Sequence, residues 1–168
     1  MNDGTAPHYF EDGMPLPAID PHTAAFWEAC TAHRLCVQRC AECGAHRNPP
    51  KPVCWRCRSA HYGWSESSGR GQVFSYTVVH HSPHPIAAAR IPYNIAVIQL
   101  EDCDHALIIS NVVDCKDPDL RVNLPVQVTW EDRSDGQTLF RFRPVTEATG
   151  SGEPFEARTP GDARRART

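Results

Sequence analysis

Two short cysteine motifs carry the clearest chemistry in this chain: Cys40-Ala-Glu-Cys43 and Cys54-Trp-Arg-Cys57, ten residues apart. A CxxC turn delivers two thiolates from one tight loop, and two facing turns supply the four soft donors that tetrahedral zinc takes at about 2.3 Å. Four thiolates leave no position for water, so the spacing predicts a closed, structural site. Iron in a rubredoxin-like setting would use the same donors, and a redox dithiol or ordinary buried cysteines are the remaining readings of the CxxC pairs. Gly44 after the first motif and Pro49-Pro50 between the two fit a short hairpin that joins the loops. Cys30, Cys36, Cys103 and Cys115 stand apart and read as small buried hydrophobes.

Other groups with chemical potential do not assemble into a set. His80-His81-Ser-Pro-His84 has no cysteine or carboxylate beside it and reads as an exposed loop. There is no GxSxG elbow, no P-loop and no GxGxxG, so no catalytic residue is assigned. Arg164-Arg165-Ala-Arg167 is a short terminal charge run of the kind that stays solvated.

Composition narrows the setting. The 168 residues are 40% hydrophobic and 22% charged, as in a globular chain of one domain or a small module joined to a barrel. A net charge of -3 gives no electrostatic reason for a polyanion partner. No apolar run approaches the ~18 residues that span a bilayer, and the first thirteen residues lack a signal-peptide pattern. The expectation is a cytoplasmic protein in which paired cysteines mean metal rather than disulfides.

The elements that must hold these groups follow from periodicity and turn signals. Residues 1–19 read as an extended, flexible leader. Asp20 before Pro21 opens a helix over 20–34, with Phe26, Trp27 and Cys30 on one apolar stripe. That stripe serves either the chain's own body or a partner. Residues 35–66 form the metal ribbon, and Ser67-Ser68-Gly69-Arg70-Gly71 is a tight turn. Five strands then follow within 67–145: 72–81, 93–101, 106–113, 126–131 and 139–143. The second and third are almost continuously apolar, which predicts central strands with both faces covered. A long third connection at 114–125 suits an OB-fold barrel. Residues 146–168 are rich in Gly, Pro, Glu and Arg and read as a disordered tail.

In this order the motifs resemble a known family. It comprises the acyl-CoA-associated OB-fold proteins with an N-terminal rubredoxin-like zinc ribbon, long catalogued as a domain of unknown function. The resemblance runs through Phe26-Trp27-Glu28, Leu35-Cys36-Val37-Gln38-Arg39-Cys40 and the two knuckles. It continues through Ser68-Gly69-Arg70-Gly71-Gln-Val73-Phe-Ser75-Tyr76 to Leu124-Pro125-Val126. Asn123 stands where such sequences usually have glycine, and Asn is the next-best residue for a left-handed turn. The resemblance implies a mainly β chain of helix, zinc ribbon and five-stranded OB barrel. It also implies a non-catalytic accessory subunit that completes a thiolase-superfamily enzyme acting on acyl-CoA thioesters. That enzyme would be an aldolase of steroid side-chain breakdown, a thiolase or an acyltransferase. Two copies of this chain would flank a thiolase-fold dimer.

Within that reading, the 81–92 loop offers His81, His84, Arg90 and Tyr93 to the partner or to acyl-CoA, and Phe26 and Trp27 offer a docking patch. A single-stranded nucleic-acid binder is the alternative, with Phe74, Tyr76 and Tyr93 as stacking platforms. The negative net charge argues against it.

Overall fold

The first helix is set where the Asp20 carboxylate accepts the backbone N–H groups of His22 and Thr23, both at 2.8 Å. That capped turn consumes Pro21–Thr23, so helix α1 runs only Ala24–Thr31. Its end is equally local. His33 takes φ 54°, its N–H donates to Cys30 O, and the Arg34 N–H reaches back to Ala29 O at 2.9 Å. This is a Schellman stop with histidine in the left-handed position, and it ends the helix three residues earlier than expected.

The computed structural model describes residues 8–134 and 136–145. A small antiparallel sheet comes first, built from β1 (Leu35–Cys40), β2 (His46–Arg47) and β3 (Tyr62–Ser67) in the order β2-β1-β3. The barrel strands are β4 (Arg70–Val79), β5 (Tyr93–Leu100), β6 (Leu107–Ser110), β7 (Pro125–Asp132) and β8 (Thr138–Pro144). Their order is β6-β5-β4-β7-β8, and each pair is antiparallel. The sheet curls until its ends meet. The Val113 N–H donates to Phe142 O at 2.7 Å, and the Phe142 N–H to Asn111 O at 3.0 Å. This connectivity is that of an OB-fold.

Two turn residues show why the sequence folds this way. Gly69, at φ +73°, lies against β7 so closely that a Cβ would sit 2.1 Å from Val128 Cγ1. Asn123 adopts φ 64° and donates its N–H to Val73 O at 2.8 Å, as a left-handed turn before β7 requires.

Helix, small sheet and barrel share one core. Phe26 and Cys30 from α1 and Leu35 and Val37 from β1 pack with Val73, Ile98, Val126 and Phe142. The ribbon is therefore anchored by apolar burial as well as by its cysteines.

Two expectations need correction. Residues 8–14 are not a weakly structured leader: Tyr9 and Phe10 are buried, and the Phe10 ring meets Tyr93 edge-on at 5.1 Å. Their aromatic area is what anchors the segment. The strands β5 and β6 do not have both faces covered, because Ile95, Leu107 and Ile109 point outward and are exposed. β6 ends the strand order rather than occupying its centre. Residues 1–7 and the tail expected to be disordered lie outside the described residues. Among the described residues no helix is long and apolar enough to cross a membrane.

Candidate functional site

The two cysteine turns are built alike. In the first, the Gly44 N–H donates to Cys40 O at 3.1 Å and Cys40 N–H to Ala45 O at 2.9 Å. In the second, the Arg58 N–H donates to Cys54 O at 3.0 Å and Cys54 N–H to Ser59 O at 2.8 Å. Both need a left-handed residue directly after the second cysteine: Gly44 at φ 72° and Arg58 at φ 65°.

The turns bring Cys40, Cys43, Cys54 and Cys57 together with all four sulfurs within 4.8 Å of one another. Cys40 to Cys57 and Cys43 to Cys54 are each 3.6 Å. A tetrahedron with arms of about 2.3 Å has edges of about 3.8 Å, so the set fits a metal ion of zinc's size. Backbone N–H groups prepare the anions. The Cys43 N–H is the main influence that lowers Cys40, and the Cys57 N–H leads in pulling Cys54 down to about 6. The Ser59 N–H pulls on Cys57, yet desolvation and the three neighbouring sulfurs push that thiol up to about 12. Four packed thiols cannot all ionise without a cation among them, which is the electrostatic reason such a set holds one.

The connection between the turns is tied from inside. Buried Arg47 donates Nε–H to Gln38 Oε1 at 2.5 Å and Nη2–H to Lys51 O at 3.0 Å. The Lys51 N–H donates to the same Gln38 oxygen at 2.8 Å. The other cysteines divide. Burial pushes Cys30 up to about 12 and Cys103 to about 11, as inert core thiols. Cys115 is only half-buried and lines a groove, contrary to expectation.

That groove, of about 980 Å³, runs between residues 8–11, the β5 start and β7. The 81–92 loop does not project freely beside it. It folds into a short helix, α2 (Pro85–Ala89), with Pro85 at the first turn and Ala87 buried. Arg90 then donates Nε–H to Tyr9 O at 3.0 Å and lies over the Tyr9 ring. Arg90 and Tyr93 line the groove, whereas His81 and His84 do not. Sequence reasoning missed the groove's polar floor. Glu131 is buried and accepts from Arg141 at 2.8 Å and Arg133 at 3.4 Å. No spacing rule joins β7 to β8 and residue 10, so no sequence signal marked this cluster.

The helix pair separates as well. Phe26 is 4% exposed and meets Phe140 edge-on at 5.5 Å, so it belongs to the chain's own core rather than to a docking patch. Trp27 remains half-exposed and lines a second, apolar groove of about 370 Å³ with Pro49, Pro50, Ile109 and Phe140.

The model of the family described as the ChsH2 C-terminal OB-fold domain matches residues 64–131. A DUF35 domain-containing scaffold protein of Methanocaldococcus jannaschii is 33% identical over 114 residues, covering 64% of this chain and 79% of that protein. The chain belongs to the DUF35 family. Among solved structures, the Ltp2-ChsH2(DUF35) aldolase matches with a TM-score of 0.68 and 37% identity, over 77% of this DUF35 chain and 98% of the other. A probable enoyl-CoA hydratase alpha subunit of Thermomonospora curvata is 38% identical over 131 residues. The DUF35 chain aligns over 78% of its own length but spans only 40% of that relative.

Proposed function

We propose that this DUF35 chain is a non-catalytic accessory subunit that binds and completes a thiolase-superfamily enzyme acting on acyl-CoA thioesters. The enzyme is an aldolase or a thiolase-type acyltransferase, in the breakdown of steroid or fatty-acyl side chains. The observation that carries this reading is the bare outer face of the barrel. On an antiparallel sheet with one wet side, alternate residues should turn polar. Here Ile95, Leu107 and Ile109 are 37%, 39% and 64% exposed on adjoining strands, and Val97 stands between Ser75 and Ile109 in register. A contiguous apolar face is the signature of a protein-covered surface. Trp27 in its apolar groove extends the same surface through Ile109. Support also comes from the relatives' names, which describe an alpha subunit, a scaffold protein and an aldolase of two named components.

In this reading the four cysteines hold one structural zinc, and the groove walled by Arg90 and Tyr93 faces the partner's acyl-CoA site. The test is reconstitution. The purified chain should turn over no 3-hydroxyacyl-CoA or 3-ketoacyl-CoA by itself, and adding it to a thiolase-fold enzyme subunit from the same organism should raise that subunit's turnover at least tenfold. Enzyme-like turnover by the single chain would refute the accessory role.

A further inference from the structure

The two cysteine turns share a backbone but differ sharply in what they present. At matching positions the first carries Ala41, Glu42 and Gly44, and the second carries Trp55, Arg56 and Arg58. Trp55 is 65% exposed and Val53 46% exposed, a large apolar area on the tip of a short loop. The Arg56 guanidinium lies over the Trp55 ring at 5.8 Å, which holds the indole in one orientation.

Arg58 is the telling residue. Its left-handed backbone, φ 65°, is the conformation that the first turn gives to a glycine. A long cationic side chain stands at a position that glycine fills with less strain. Arg58 therefore places a cation on the turn at some cost in backbone strain, a cost that His33 and Asn123 also bear in their turns.

Charge points the same way. Residues 35–67 hold five Lys or Arg against two acids, in a chain whose net charge is -3. Both acids are already engaged, Glu66 with Arg34 and Glu42 with His61. Arg39, Lys51, Arg56 and Arg58 have no carboxylate partner among the described residues.

We infer that the second cysteine turn is a docking knob: Trp55 enters an apolar socket on an acidic surface of the partner enzyme subunit, and Arg56 and Arg58 meet that socket's carboxylates. The inference rests on the accessory-subunit reading and adds a second contact, separate from the outer barrel face. The turn is suited to the task because the thiolates on either side fix it, so little side-chain entropy is lost on binding. A protein is favoured over nucleic acid because exposed Val53 adds aliphatic surface beside Trp55, which suits an apolar socket, and the chain as a whole carries a net charge of -3.

The experiment titrates the metal-loaded full chain and its Trp55→Ala, Arg58→Gly and Arg56→Glu/Arg58→Glu variants against a thiolase-fold enzyme subunit from the same organism. Trp55→Ala should raise Kd about thirtyfold, the loss expected for a buried aromatic anchor, with metal content unchanged. Arg58→Gly should raise the melting temperature yet weaken binding, a split that a purely structural role would not produce. The double charge reversal should slow association and flatten its salt dependence. Wild-type binding with unaltered Trp55→Ala affinity would overturn the docking knob while leaving the accessory role intact. A wild-type chain that binds nothing would overturn both. Trp55-dependent capture of a single-stranded oligonucleotide at physiological salt would assign the turn to nucleic acid and sink the proposal.

Discussion

Each cysteine of the metal set is irreplaceable in a way that can be measured, because a hydroxyl is a poor substitute for a soft thiolate donor. Cys54→Ser should reduce bound metal from about one ion per chain to near none by elemental analysis. The same variant should melt earlier but keep its barrel signature, since Leu35 and Val37 still tie the ribbon to the main core. Wild-type protein free of metal in reducing buffer would contradict the assignment.

A second test at this scale concerns Asp102. It accepts from Ser67 Oγ at 2.7 Å and from the Ser68 N–H at 2.6 Å, locking the junction between ribbon and barrel. Partial burial acts to raise its carboxyl, but these donors outweigh burial and hold it below the usual range. A lowered folded-state value means that its stabilisation is complete above about pH 4 and is lost as pH falls through that lower value. Asp102→Asn should therefore lie well below wild type in urea midpoint at about pH 6 and approach it at about pH 3. An equal gap at both pH values would contradict this. The metal set was legible from sequence because CxxC spacing is short-range. Phe26 and Arg90 were not, because what each touches, Phe140 and Tyr9, lies far away in sequence.

Among the elements, strand positions and the long third connection could be read from alternation and turn residues. Helix ends could not, since α1 stops on a histidine in a position where sequence rules look for glycine. The segment before Asp20 was also misread. Its prolines and glycines suggest an unstructured run, yet Tyr9 lines the barrel groove, Phe10 packs edge-on against Tyr93, and Arg133 donates to Phe10 O at 3.3 Å. Phe10→Ala should cost about 3 kcal/mol by urea denaturation, as a large-to-small change in a packed site. A loss under ~0.5 kcal/mol would mean that the segment contributes no more than a surface loop.

For the molecule as a whole, the near-continuous apolarity of residues 93–101 and 106–113 predicts two covered faces, and the structure departs from that expectation. The sequence demanded cover on two faces, and the chain supplies it on one. In the accessory reading the other face waits for a partner. Ile109→Asp should leave the isolated chain's stability within about 0.5 kcal/mol, as exposed substitutions do, while abolishing assembly. The most direct measurement is native mass spectrometry of the metal-loaded chain mixed with the thiolase-like subunit at micromolar concentration. The account predicts a dominant species of two enzyme subunits and two copies of this chain, with two zinc ions retained. Separate peaks for the two proteins, with no mixed species, would contradict it.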